Sequence, residues 1–215
     1  MIRLQYNIPA GLLAAVLFAG TTACAAESGD MIRQPKVSGD PVAGKSESSL
    51  CQGCHGAEGT SFADLIPNLA GQSAAYTAKQ LRDFQSGART HQIMSAISKS
   101  ISDTELLNIA AYFSGRKKMQ GDGSGGSSAA EKLFMKGDPA RDIPSCMSCH
   151  GINGKAPAIA TYPVIGGQHK AYLRVQLFHW RSGDRSNSPG GMMSKAVRNL
   201  TDTEIESLAD YLSGL

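Results

Sequence analysis

The sequence predicts an all-α protein made of two small helical domains in tandem, because one unit occurs twice along the chain and the helix signals recur in both copies. The segment Cys51-Gln-Gly-Cys-His-Gly56 returns as Cys146-Met-Ser-Cys-His-Gly151. Residues 67–72 then return, in the same order, as residues 163–168. A repeat of this kind indicates two units with separate cores, and the 215 residues of the chain are enough to form both.

The helices are predicted from capping residues and apolar spacing. Ser102 and Thr201 each stand three residues before a glutamate, which is the capping-box pattern of a helix start. Apolar residues follow at the i, i+3, i+4 and i+7 spacing of one buried helix face. Two further helices are predicted over residues 73–86 and 171–182. Four glycines are expected to end the helices: Gly87, Gly115, Gly183 and Gly214.

Residues 1–25 have the composition of a signal peptide, with a basic start, a short apolar run and small residues before the expected cleavage point. The apolar run is shorter than the ~20 residues that a membrane-spanning helix needs. An exported protein is therefore predicted, either soluble or held at a membrane surface by an acylated Cys24. If cleavage follows residue 25, Cys24 is lost with the signal peptide.

The rest of the chain is divided into a first domain over residues 36–115, a linker over residues 116–128 and a second domain over residues 129–215. The linker is predicted from a run rich in glycine and serine. The formal charge is only +3 and no basic block extends beyond Arg116-Lys-Lys118, so neither nucleic acid nor an anionic membrane is predicted as the main partner. Aromatic residues make up 6% of the chain, so a large apolar cofactor is expected to complete two thin cores.

The repeated C-x-x-C-H segment is the attachment signature of c-type haem, in which two thiols add to the haem vinyl groups and the adjacent histidine binds the iron. Each half contains one complete set, so the predicted cofactor-binding residues are Cys51, Cys54 and His55, and Cys146, Cys149 and His150. The alternatives are a redox pair of cysteines, a four-cysteine zinc site shared between the halves, and coincidence. They are disfavoured because no βαβ setting is predicted, and because zinc would leave both histidines unexplained.

Methionine sulfur is the expected sixth iron ligand, because it fills the last coordination position and favours the reduced metal. Met94 and Met193 are predicted for this role, since each lies eight residues before a capped C-terminal helix. Met192 is the immediate alternative to Met193. With the sixth position filled, small ligands are kept from the iron.

Other residues of the two halves are given supporting roles. The carbonyl groups of Pro67 and Pro163 either accept a hydrogen bond from the haem-binding histidines or belong to simple turns. No other histidine has a counterpart in the opposite half, so the remaining three are interpreted as non-ligands: His91 and His169 at the surface, and His179 in helix packing. The aromatic residues expected to wall the cofactors are Tyr76, Phe84, Tyr172 and Trp180.

At these motifs, at Gly39-Asp40 and at the endings Ala111-Tyr-Phe-Ser114 and Asp210-Tyr-Leu-Ser213, the chain resembles the cytochrome c4 family. The resemblance implies two class I cytochrome c domains with two covalent haem c groups. It implies a periplasmic carrier that passes electrons from a quinol-oxidising complex to a terminal oxidase, with redox proteins as partners and no small-molecule substrate. One departure is Thr90-His-Gln92, where a proline-containing approach to the methionine is familiar in the family.

Two alternatives to a free carrier remain open. The chain could instead be the cytochrome subunit of a periplasmic dehydrogenase, bound through an obligate interface. It could also be a dihaem enzyme, which needs an open or differently ligated iron. Met94 and Met193 argue against the enzyme, so no catalytic residue is predicted.

Overall fold

The computed structural model describes residues 38–215, which lie in one compact unit spanning Gln34–Leu215. The predicted signal peptide and Cys24 lie outside the described residues. Within residues 38–215 the chain forms helices joined by loops and turns, and its strand-like pairing is limited to an isolated bridge between Asp138 and Ile143. None of the helices in this part of the chain is long and apolar enough to cross a membrane.

Each half contains five α-helices. Those of the first half are α1 (Pro41–Glu47), α2 (Ser49–His55), α3 (Ala74–Ser86), α4 (Gln92–Ser98) and α5 (Asp103–Ser114). Those of the second half are α6 (Ser128–Lys136), α7 (Met147–His150), α8 (Lys170–Ser182), α9 (Met192–Val197) and α10 (Asp202–Gly214). The sequence does not predict α4 and α9, because helices of seven and six residues are too short to display a clear apolar stripe.

The predicted helix starts and three of the four predicted stops are confirmed, since α5 ends at Ser114, directly before Gly115. Complete capping boxes are present at Ser102 and Thr201. Gly87 and Gly183 adopt the left-handed conformation that ends α3 and α8, with φ values of 80° and 90°. The prediction for Gly214 was wrong, because α10 continues through it: a Cβ atom there would lie 1.6 Å from the carbonyl oxygen of a linker residue. Glycine is therefore required at this position because α10 approaches the linker closely, and not because the chain turns there.

The segment predicted as a flexible linker is packed against the end of the chain. The N–H groups of Gly121 and Gly123 donate hydrogen bonds to the carbonyls of Leu215 and Gly214, at 2.7 and 3.0 Å. Met119 is buried. The glycines permit this close contact of two backbones. The glycine-rich composition of the linker therefore reflects its close packing against α10 and not freedom of movement.

Both halves have the same helix arrangement. The N-terminal helix and the middle helix pack against the C-terminal one: α1 and α3 against α5, and α6 and α8 against α10. Gly44 permits the close crossing of α1 and α5, since a Cβ atom there would lie 2.0 Å from the carbonyl oxygen of Asn108. At the matching crossing in the second half, the ring of buried Phe134 lies 5.7 Å from that of Tyr211. The repeat in sequence is therefore a repeat in packing.

Reciprocal hydrogen bonds that follow the internal repeat join the two halves. The buried side chain of Gln72 donates to the carbonyl of Val164 and accepts from its N–H, both at 2.8 Å. Gln168, the equivalent residue, accepts from the N–H of Asn68 at 2.8 Å and donates to its carbonyl at 3.0 Å. Each glutamine thus satisfies buried backbone groups of the opposite half, which fixes the arrangement of the halves.

Candidate haem sites

Each C-x-x-C-H segment forms a helical turn that places its histidine in the interior. In the first half, α2 carries Cys51, Cys54 and His55, and Nδ1 of His55 lies 2.8 Å from the carbonyl oxygen of Pro67. A proton on Nδ1 leaves Nε2 free to bind a metal. Burial lowers the pKa of His55 below its ordinary value of 6.5, against the opposing effect of the Pro67 carbonyl. The imidazole is therefore held neutral, which is the form that binds iron.

The second half repeats this geometry. Cys149 and His150 lie on α7, with Cys146 just before it, and Nδ1 of His150 lies 2.9 Å from the carbonyl oxygen of Pro163. Burial lowers the pKa of His150 as well. Of the two interpretations of the prolines, the geometry supports the one in which their carbonyls orient the histidines.

The four cysteines in the described part of the chain form no disulfide bond with one another, and Cys54 and Cys149 are exposed. Burial raises the pKa of Cys51, and it raises the pKa of Cys146 to about 11. A redox-active cysteine pair needs a thiol of low pKa, so these thiols do not fit that alternative. Across residues 38–215, no three His, Cys, Asp or Glu side chains are grouped so that they could hold a metal ion, so the shared zinc site also lacks support.

One continuous cavity of about 1250 Å³ extends beside both turns. Its lining includes both complete sets of candidate ligands: Cys51, Cys54, His55 and Met94 from the first half, and Cys146, Cys149, His150 and Met193 from the second. Sites for a single small molecule usually occupy about 300–1,000 Å³. The larger volume and the two ligand sets therefore fit two haem groups, one in each half.

The predicted methionines lie on the two short helices that the sequence did not predict. Met94 on α4 and Met193 on α9 are half-buried, and each packs against the core of its own half. Met192 also borders the cavity, but its side chain is 40% exposed and its sulfur accepts a hydrogen bond from the Tyr162 hydroxyl at 3.4 Å. Each half therefore brings one core-packed methionine to the cavity that its histidine borders.

The remaining histidines differ from one another in their surroundings. His91 is exposed, as predicted, and caps α4 by accepting a backbone N–H at Nδ1. The interpretation of His169 as a surface residue was wrong, because its Nε2 lies 3.1 Å from the carbonyl oxygen of Ser61 in the opposite half. The interpretation of His179 as a packing residue was also wrong: it is exposed at the edge of the cavity, because Trp180 takes the buried position on α8.

The predicted aromatic walls line the cavity, and two of them belong to a polar cluster that the sequence analysis missed. The Tyr76 hydroxyl accepts a hydrogen bond from Arg185, and the Tyr172 hydroxyl accepts one from Arg89, both at 3.1 Å. Both arginines also donate to glutamine side chains from the two halves. We call this set the arginine cluster: Tyr76, Gln80, Arg89, Tyr172, Gln176 and Arg185.

The arginine cluster brings positive charge to the wall of the cavity. All the hydrogen bonds found for Arg89 and Arg185 in the described part of the chain go to uncharged groups. A buried charge is costly unless it is paired, so the carboxylate side chains of haem fit this wall. The repeat itself contained the signal, since each arginine stands two residues after the glycine that ends α3 or α8.

Two family models match the chain, one in each half. The model described as Cytochrome c matches residues 127–215, and the model described as Cytochrome C oxidase, cbb3-type, subunit III matches residues 46–113. The prediction of two tandem cytochrome c domains is therefore confirmed. The protein carries covalent haem c in both.

Proteins of known identity resemble most of the chain. Cytochrome c4 of Thiocapsa roseopersicina is 36% identical over 190 residues, which are 87% of this chain and 98% of that protein. The Stutzerimonas stutzeri (strain A1501) protein named Thiosulfate dehydrogenase electron acceptor is 38% identical over 170 residues, 77% of this chain and 78% of that protein. The crystal structure of reduced recombinant cytochrome c4 from Pseudomonas stutzeri gives a TM-score of 0.77 at 36% identity, covering 83% of this chain and 100% of that one. With two haem-binding turns beside one cavity in a repeated helical fold, the chain belongs to the cytochrome c4 family and is an electron carrier.

Proposed function

We propose that this protein carries electrons in the periplasm, from a quinol-oxidising complex to a terminal oxidase. The observation that supports this proposal most is the single cavity lined by two complete ligand sets, since two haems held there would share one cavity and could exchange electrons. In our proposal the partners are redox proteins that dock transiently. No helix of residues 38–215 could span a membrane, so any membrane contact of this part is peripheral.

The proposal assigns each ligand a role. Cys51 and Cys54 attach one haem and Cys146 and Cys149 the other, through thioether bonds. The histidine ligands are His55 and His150, and the methionine ligands are Met94 and Met193. When bound, each haem supplies an iron atom that alternates between the ferrous and ferric states by gaining or losing one electron.

The surrounding residues orient these ligands and exclude water. The carbonyls of Pro67 and Pro163 hold the Nδ1 protons of the histidines, so that Nε2 stays available and the ring keeps one orientation. Buried aromatic residues such as Phe84 and Trp180 line the cavity and keep it apolar. With a histidine and a methionine both bound, each iron would have no position left for a substrate, so we propose that the protein catalyses no reaction of its own.

The proposal extends to the organisation of the chain. Residues 1–25 act as the signal peptide that delivers it to the periplasm, and residues 36–115 and 129–215 are the two haem domains. Residues 116–128 connect them and, through Gly121 and Gly123, lie against the C-terminal helix. If cleavage instead precedes Cys24 and that residue is acylated, the protein is tethered to the membrane surface.

A second candidate function is that of an electron acceptor for a periplasmic dehydrogenase. The relative that is 38% identical and named Thiosulfate dehydrogenase electron acceptor favours it. In that case electrons enter from the dehydrogenase and not from a quinol-oxidising complex. The two functions differ in the donor, while the haem sites are the same.

The experiment is a pair of measurements on the purified holoprotein. Stopped-flow mixing measures its reduction by a purified quinol-oxidising complex or by thiosulfate dehydrogenase, and its oxidation by a terminal oxidase. We expect fast reduction by the quinol-oxidising complex, fast oxidation by the oxidase and no carbon monoxide binding. Reduction by thiosulfate dehydrogenase alone would favour the second function, and carbon monoxide binding by the unmodified protein would contradict the carrier.

A further inference from the structure

Exposed residues line the cavity in both halves, and their chemistry differs between the halves. We propose that the exposed lining in the first half is a docking surface for a redox partner protein whose contact face is apolar and uncharged. This inference rests on the proposed electron-carrier function. We call the surface the apolar rim, and it consists of three exposed side chains: Leu50, Leu65 and Ile93.

The apolar rim is more exposed than the fold requires. Leu50, Leu65 and Ile93 border the cavity while 62%, 65% and 56% of their surface stays exposed. Scattered apolar residues are normal on a protein surface, but three exposed ones that border a functional cavity indicate an interaction site.

The second half has the same fold, but of its positions that match Leu50, Leu65 and Ile93 just one is apolar, Met192, which is 40% exposed. The residues equivalent to Leu50 and Leu65 are Ser145 and Thr161, which are polar and half-buried. Among the exposed residues that line the cavity in the second half are five charged ones: Lys136, Asp142, Asp184, Lys195 and Arg198. In the described residues of the first half, no exposed Lys, Arg, Asp or Glu lines the cavity. The shared fold therefore does not account for the apolar rim.

Charge and area identify the kind of partner. A charged face would lose its hydration against the apolar rim without gaining a counter-charge, so the complementary face is apolar. Three side chains cover a small area, which suits a transient electron-transfer contact of less than about 1,200 Å² and not a stable dimer. The partner would lie beside the exposed Cys54, where the proposed thioether bond attaches the haem edge.

The test compares the unmodified holoprotein with the Leu50→Ser/Leu65→Thr variant, which gives the rim the residue types that Ser145 and Thr161 provide in the second half. Val42→Ser is the matched control, because Val42 is 81% exposed on α1 but does not line the cavity. Second-order rate constants for electron transfer are measured by stopped flow with two purified, detergent-solubilised probes, a quinol-oxidising complex and a terminal oxidase. Each is measured at low and at high ionic strength.

We expect the double variant to react about tenfold more slowly with one of the two probes, at every ionic strength, because apolar anchors dominate small contacts. The control, the haem spectra and both reduction potentials should stay unchanged. Unchanged rates with both probes would overturn the inference, as would a rate that collapses at high ionic strength for the affected probe. A dimer in sedimentation that the double variant abolishes would also overturn it, since the rim would then cover a second copy. If the unmodified protein reacts with neither probe, the proposed function fails and the inference falls with it.

Discussion

The hydroxyl group of Tyr162 lies 3.4 Å from the sulfur atom of Met192 and donates a hydrogen bond to it. This contact separates two neighbouring methionines that the sequence alone presents as rivals. Met193 packs against the core of the second half, whereas the Met192 sulfur is engaged by a tyrosine at the edge of the cavity. The equivalent position in the first half is Ile93, so no such competition exists there.

The first prediction concerns the sixth ligand of the second haem. We expect Met193→Ala to abolish the long-wavelength sulfur-to-iron charge-transfer band of one ferric haem and to open that ferrous haem to carbon monoxide, because the iron loses its thioether ligand. Met192→Ala should keep both bands. Visible and near-infrared spectra with carbon monoxide titration check this. Loss of a band in Met192→Ala but not in Met193→Ala would show that Met192 is the ligand.

The second prediction concerns the hydrogen bonds that join the halves. Gln72→Ala and Gln168→Ala should each lower the free energy of unfolding by about 1–3 kcal/mol, because each leaves a buried N–H and carbonyl of the opposite half without a partner. Gln52→Ala is the control, since that amide bonds only within its own half. Denaturant unfolding of the holoproteins measures the three changes. Equal losses for all three variants would contradict a special role for the interface.

How much the sequence could predict depended on how far apart the interacting residues lie. The capping boxes and the C-x-x-C-H turns are local, so their residue patterns were sufficient. The bonds from Gln72 to Val164 and from Arg89 to Tyr172 join residues 92 and 83 positions apart, and no local pattern indicates such partners. Arg89 and Arg185 nonetheless occupy equivalent positions in the repeat, and this equivalence is the signal in the sequence that points to the arginine cluster.

The third prediction concerns the charge of the arginine cluster. Arg185→Gln should lower the reduction potential of at least one haem by roughly tens of millivolts, because a nearby positive charge disfavours the ferric iron. Arg185→Lys retains the positive charge, so its reduction potentials should stay close to those of the unmodified protein. This comparison separates the effect of the charge from the effect of altered side-chain packing. Arg174→Gln is the surface control, since Arg174 is paired with Glu206 outside the cavity lining. Potentiometric titration under anaerobic conditions measures all three, and a potential that Arg185→Gln leaves unchanged would contradict the prediction.

The last prediction concerns Glu204, which caps α10 and also pairs with Arg141. The hydrogen bonds from the Arg141 guanidinium lower the pKa of this carboxyl from 4.5 to about 2. Because the pKa is lower in the folded state, the ionised carboxylate stabilises the fold above pH 4.5, and the stabilisation is lost as the pH falls from 4.5 through 2. The side chains of Arg141 and Glu204 are 39% and 25% exposed, so solvent screening limits the effect to about 1 kcal/mol.

We therefore expect Glu204→Gln to be less stable than the unmodified protein at pH 7, and the difference to shrink between pH 4.5 and 2 as the native carboxylate is protonated. Glu105→Gln is the matched control, because Glu105 closes the same capping box on α5 but has no salt bridge to an arginine among the described residues. Its loss should be smaller, because the Glu105 carboxylate lacks the charge of a paired arginine. Denaturant unfolding across this pH range measures both differences. If the Glu204→Gln difference were the same at pH 7 and pH 3, the carboxylate charge would not be the source of the stability, and the cap geometry alone would account for it.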